Sequence, residues 1–164
     1  MTHSTSTPSR RDWLRTIAAG AAGLTVAALA RPASLFAFAQ QSSLAMTVYK
    51  TPTCGCCTAW MDHVKANGFT ANAQNVNDLT PIKRRFGVPR ALESCHTALV
   101  GGYVVEGHVP ADLVQKLLRE KPNAVGLAVP GMPIGSPGME GGRPQKYDVL
   151  LFDKAGKTTV YASR

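Results

Sequence analysis

Three cysteines fall within one four-residue stretch, Cys54, Cys56 and Cys57, and a fourth, Cys95, stands 38 residues after Cys57 and directly before His96. Thiolates are nucleophiles and soft metal ligands, and a helix beginning at the triple-cysteine turn favours the ionised sulfur through its dipole and its free backbone N–H groups. Four cysteines allow three disulfide connectivities. Each of them needs a bridge inside residues 54–57, one being the vicinal pair Cys56–Cys57, and none closes a long loop twice. The pattern therefore argues against cysteines that merely staple the chain. Cys54 and Cys57 form a Cys-x-x-Cys pair suited to thiol–disulfide exchange, with Cys54 as nucleophile and Cys57 as resolving thiol. That reading leaves Cys56 and Cys95 without a task, as does a protein-interaction module with an incidental redox pair. A soft metal site uses all four. Thiolates select Cu(I), Zn or Fe–S. Zinc modules pair two Cys-x2-Cys motifs, or one with His-x3–5-His, and neither that spacing nor a ferredoxin spacing occurs here. Cu(I) tolerates two or three sulfurs and also accepts thioethers.

Methionine and histidine extend the candidate ligand set. Met132 and Met139 lie seven residues apart in a Gly/Pro-rich stretch, where a methionine gains little from burial but offers a thioether. Met46 and Met61 fall on strand and helix patterns and read as core. His96 adjoins Cys95 and His108 follows a hairpin. Either could ligate a metal or hydrogen-bond a sulfur, although neighbouring side chains on a strand point to opposite faces. His63, six residues after Cys57, reads as a surface residue.

The elements that must position these groups read as a small α/β domain. Residues 46–50 alternate and stop at Thr51-Pro52, which predicts a first strand leading into the cysteines. Residues 58–67 carry Trp60, Met61 and Val64 at helical spacing, with Gly68 as a stop signal. A weaker strand spans 69–76. Asn77 or Asp78 can cap a second helix with Pro81 in its first turn and Gly87 beyond its end. Residues 97–100 and 103–107 form a hairpin around Gly101-Gly102. A further helix runs from about Val109 to Glu120. The order β-α-β-α-β-β-α, with Cys-x-x-Cys at the first strand-to-helix turn, resembles the thioredoxin fold, with Cys95-His96 where that fold normally carries a cis-proline. Residues 126–144 are dominated by Gly and Pro, and no regular strand is expected there. Residues 147–152 and 158–161 then read as two strands of a C-terminal β-hairpin extension.

Composition limits the function classes. The chain has 164 residues, 45% of them apolar and 17% charged, which suits a globular protein. The net charge of +8 is unevenly placed, and beyond residue 39 the basic residues are scattered; their only dense run, Lys83-Arg84-Arg85, reads as a solvated helix face rather than a nucleic-acid stripe. Residues 1–39 read as an export signal. Arg10-Arg11 with Trp13-Leu14 resembles a twin-arginine signal. An uncharged stretch of 15 residues, Thr16 to Ala30, is shorter than the roughly 20 of a spanning helix. Ala37-Phe38-Ala39 places small residues for cleavage after Ala39. The mature domain is then 40–164, in a bacterial periplasm, with no stable membrane anchor.

Several separated motifs also match one family. The segments Thr53-Cys54-Gly55-Cys56-Cys57, Trp60, His63-Val64, Gly68-Phe69, Ser94-Cys95-His96-Thr97-Ala98, Gly102-Tyr103, Glu106-Gly107-His108-Val109-Pro110, Gly126 to Pro133 and Gly135 to Glu140 resemble the CopG-type family of periplasmic copper-resistance proteins. The resemblance covers about residues 46–162. It implies a thioredoxin-like fold and a copper-thiolate site made from the Cys-x-Cys-Cys and Cys-His motifs. It implies help from Met and His, more than one copper, and periplasmic copper donor or acceptor proteins as partners. Together these readings give copper as the cofactor and Cys54, Cys56, Cys57, Cys95, Met132, Met139, His96 and His108 as its ligand set.

Overall fold

The computed structural model describes residues 44–164; the signal-peptide and cleavage readings lie outside the described residues. Strand β1 (Ala45–Lys50) buries Met46, Val48 and Lys50 on alternate positions. Helix α1 (Gly55–Ala66) follows at once and buries Cys57, Trp60, Met61 and Val64, an i, i+3, i+4, i+7 stripe. It stops at Asn67, and Gly68 takes φ +89°, a left-handed conformation that suits glycine. Then come β2 (Thr70–Asn75), a short helix α2 (Thr80–Arg85) whose Thr80 N–H is accepted by Asp78 Oδ1 at 2.8 Å, and a 3-10 turn at Arg90–Leu92. β3 (His96–Val100) and β4 (Tyr103–Glu106) form the expected hairpin, and α3 (Ala111–Glu120) follows.

The strands make one mixed sheet in the order β2-β1-β3-β4-β5-β6-β7. β1 runs parallel to β2 and antiparallel to β3, with Lys50 opposite His96. That register brings the cysteine turn at the end of β1 beside the start of β3. Trp60, Met61 and Val64 of α1 and Leu113, Val114 and Leu117 of α3 share one core with Val48, Ala98, Val100 and Val105 of the sheet. In a second cluster, Val88 and Leu92 pack with Val104, Ala128 and Phe152, which take the alternate sheet positions, as strand periodicity requires of Val104 and Val105. Trp60 is fully buried and its indole N–H donates to the Val109 carbonyl at 2.9 Å, so truncating it to alanine costs about 3–5 kcal/mol.

The C-terminal third differs from the sequence reading in one respect. Within the stretch expected to hold no strand, Gly126–Ala128 forms β5, parallel to β4 and antiparallel to β6 (Asp148–Phe152). Gly126 is what permits it, because a Cβ there would lie 1.8 Å from the Val104 carbonyl oxygen. Leu127 and Ala128 are fully buried beyond it. Three residues are too few to outweigh flanking Gly and Pro in a composition argument. Through β5, the hairpin of β6 and β7 (Thr158–Ser163) continues the main sheet. Among the described residues no helix is long and apolar enough to cross a membrane.

Candidate metal centre

The turn between β1 and α1 delivers three of the four sulfurs. Cys54 is the N-cap residue of α1, and its side chain makes no capping bond. Its N–H donates to the Thr51 carbonyl at 3.2 Å. The buried Lys50 ammonium donates to that same carbonyl at 2.9 Å, which pins the turn from below. No acidic residue stands in the first turn of α1, so no carboxylate there opposes the helix dipole's preference for negative charge at this end. Cys54 and Cys57 are joined as a disulfide, while Cys56 and Cys95 are free. Cys56 Sγ lies 3.4 Å from Cys54 Sγ and 3.7 Å from Cys95 Sγ. All four sulfurs lie within 4.8 Å of one another, close enough to hold a metal ion once the disulfide is opened.

Cys95 belongs to a second group as well. With His96 and His108 it forms another set whose ligand atoms lie within 4.8 Å. Cys95 Sγ is 3.3 Å from His96 Nδ1 and 3.0 Å from His108 Nε2. His108 Nδ1–H donates to the Pro137 carbonyl at 2.8 Å, which leaves the Nε2 lone pair aimed at the sulfur. His96 stacks against Trp60 at 4.3 Å between ring centroids, and its Nε2 is a buried nitrogen without a hydrogen-bond partner. Burial holds His96 well below its ordinary pKa and lowers His108 too, so both are neutral bases able to donate a lone pair. Burial, then the neighbouring Cys56, pushes the Cys95 thiol up to about 12. A metal must displace that proton to take the sulfur.

The Gly/Pro-rich loop closes over this arrangement. Ser94 Oγ–H donates to the Gly131 carbonyl, and Pro137 holds His108. Gly138, at φ +85°, sits so close to α1 that a Cβ would lie 2.7 Å from both Cys56 O and Trp60 N. Met139 is half-buried one residue further on, while Met132 is 51% exposed at the loop's outer side. The two core methionines are where the patterns put them, with Met46 and Met61 at 2% and 5% exposure.

Two features escape the sequence reading. Lys83 is not on a solvated face: it is 4% exposed and paired with the fully buried Glu106. An acid in the otherwise apolar run Tyr103-Val104-Val105 was the available signal. His63 is half-buried, and its Nε2 accepts the Ala111 N–H at 3.1 Å, capping α3. Burial lowers its pKa, which keeps it an acceptor.

Comparison with known proteins places the chain in a family. A family model described as "Protein of unknown function, DUF411" matches residues 92–139, the stretch that carries Cys95, His96, His108 and the closing loop. No curated protein matches the chain. Two solved structures, both titled copper resistance protein CopG (Form 2 and Form 1), are similar at 46% identity and a TM-score of 0.71, covering 74% of this chain and 98% of theirs. With nearly half of all positions identical along virtually the whole of a protein of the same architecture, this chain belongs to the CopG copper-resistance family.

Proposed function

We propose that this is a periplasmic Cu(I)-binding protein of copper resistance, exported by the twin-arginine-type signal of residues 1–39. The mature domain, 40–164, is read as thioredoxin-like, a reading supported by the strand order β2-β1-β3-β4 and by α1 and α3 sharing one core with the sheet. The observation that carries the function is Cys95, whose sulfur belongs both to a four-sulfur group and to a one-sulfur, two-nitrogen group. A sulfur shared by two adjoining ligand sets is suited to bridge two coppers. The all-sulfur side favours Cu(I), and the side with two imidazoles tolerates Cu(II) as well. Cu(I)/Cu(II) redox change is accordingly part of the reading. Loading begins with two electrons and two protons from a dithiol reductant, which convert the Cys54–Cys57 disulfide into two thiols. Copper then binds the four sulfurs and releases their protons. Met139 or Met132 shields or completes the site from the loop, and copper donor or acceptor proteins of the periplasm are the partners.

The test is an anaerobic Cu(I) titration of the reduced protein against a chelator of known affinity, with Cys95→Ser alongside. More than one tightly held copper per chain, fewer in the variant, is the expected result. Weak binding unchanged by Cys95→Ser would sink the reading. The second reading, a thiol–disulfide oxidoreductase, is favoured by one observation: the disulfide joins the Cys-x-x-Cys pair Cys54 and Cys57. It needs only those two sulfurs, so disulfide exchange that survives Cys95→Ser with no copper bound would select it.

A further inference from the structure

Behind the Cys95–His96 turn lies a buried polar network that the metal chemistry does not use. Lys83 on α2 is paired with Glu106 Oε1 and also donates to Thr97 Oγ1 at 3.1 Å. Thr97 Oγ1–H donates in turn to Glu106 Oε2 at 2.7 Å. One bond leaves the network, from the Ser94 backbone N–H to Glu106 Oε1 at 2.7 Å. Ser94 immediately precedes Cys95, and Glu106 stands two residues before His108.

A purely stabilising role is a weak account of this cluster. Taking an ammonium and a carboxylate out of water is costly, and apolar replacements of buried pairs are often as stable as the pair itself. Burial already pushes the Glu106 carboxyl upward against the pull of Lys83. What an apolar pair cannot do is offer a fixed acceptor to the Ser94 backbone. Ser94 is gripped elsewhere too, since its hydroxyl donates to Gly131 and a Cβ on Gly107 would lie 2.5 Å from its Oγ.

We propose that Glu106 is a positioning residue of the metal centre: held by Lys83 and Thr97, its carboxylate anchors the Ser94 backbone and so sets where Cys95 Sγ stands between the α1 sulfurs and His108. The inference rests on the copper reading above, and groups that orient metal ligands typically account for about 10- to 100-fold in affinity.

Two double variants test it. Lys83→Met/Glu106→Leu removes both charges and the acceptor. Lys83→Met/Glu106→Gln removes both charges but leaves a carbonyl oxygen for the Ser94 N–H. The Leu pair is expected to lower Cu(I) affinity of the reduced protein by about 10- to 100-fold. It is also expected to speed hydrogen exchange at the Ser94 amide in the metal-free protein. The Gln pair should restore both to the natural values. A folded Leu pair with natural affinity would overturn the proposal, as would a Gln pair that loses as much as the Leu pair. If the Leu pair does not fold, the Gln pair decides alone, and a tenfold loss in it counts against the proposal. Should the natural protein itself fail to bind copper, the copper reading falls, while the Ser94 exchange comparison still tests the anchor.

Discussion

His108 turns Nδ1 to the Pro137 carbonyl at 2.8 Å and Nε2 to Cys95 Sγ at 3.0 Å, so one imidazole ties the closing loop to the shared sulfur. Replacing it separates ligation from thiol chemistry. His108→Ala is expected to weaken copper binding by about 10- to 100-fold, by analogy with lost ligand-orienting contacts. It should leave the number of alkylatable thiols in the reduced protein at four. Chelator competition and mass spectrometry after alkylation read the two quantities; unchanged copper affinity would remove His108 from the site.

Gly138 gives the loop its close seat on α1. Alanine there must accept φ +85° and place its Cβ 2.7 Å from two backbone atoms, so neither neighbour can move aside cheaply. Gly138→Ala is expected to cost about 1–3 kcal/mol. In a chain of this size the melting midpoint falls by roughly 4 °C for each kcal/mol. Gly131→Ala is the control, strained in φ alone at +69° with open space around the new methyl, and should melt higher. Equal midpoints would mean that the loop does not rest on the helix in solution.

Oxidation state governs which sulfurs are available. With Cys54 and Cys57 joined, only Cys56 and Cys95 remain free. The oxidised protein is therefore expected to take up two alkyl groups and the reduced protein four. Copper affinity should fall at least tenfold on oxidation, since two ligands are withdrawn from one site. Retention of full affinity by the oxidised chain would place copper elsewhere.

Acid should destabilise the metal-free protein. Burial depresses the pKa of His63, His96 and His108 below the ordinary 6.5. A depressed base favours the fold while neutral, so this stability is complete above pH 6.5 and is lost as pH falls from there toward the folded pKa values. Glu106, pushed up by burial, acts in the opposite sense. His63 can be isolated, because Gln at that position still accepts the Ala111 N–H but does not titrate. Urea midpoints measured from pH 7.5 down to 5.0 should fall less steeply for His63→Gln than for the natural protein. Identical slopes would mean that His63 is not held neutral by its place against α3.

The cysteines and most of the scaffold were legible because their signals are local. A strand, a triple-cysteine turn and a Trp60–Met61–Val64 stripe follow one another without interruption, and each specifies its own geometry. The resemblance put Cys95, His96 and His108 in one ligand set, but the local pattern did not show the sulfur touching both imidazoles. Alternation along a strand argues that Cys95 and His96 diverge, yet β3 begins only at His96, and Cys95 lies in the irregular segment before it. Lys83 hid inside a basic run whose other members are exposed, and only the tertiary packing of α2 brings it to Glu106 on β4. His63 caps a helix that starts 48 residues later, a relation no local pattern encodes.

Chain connectivity gives the sulfurs an order of arrival. Cys54 and Cys57 are separated by three residues and can meet as soon as one helical turn forms, whereas Cys56 and Cys95, 39 residues apart, meet only after β3 has docked on β1. The loop residue Gly138 reaches Cys56 later still in sequence terms. When the thiols are oxidised during folding, Cys54 and Cys57 can pair before Cys95 arrives, and Cys95 then joins a turn whose two flanking sulfurs are already bonded to each other. A fold completed in that order is closed at its cysteine turn, and on the copper reading reduction is what opens it.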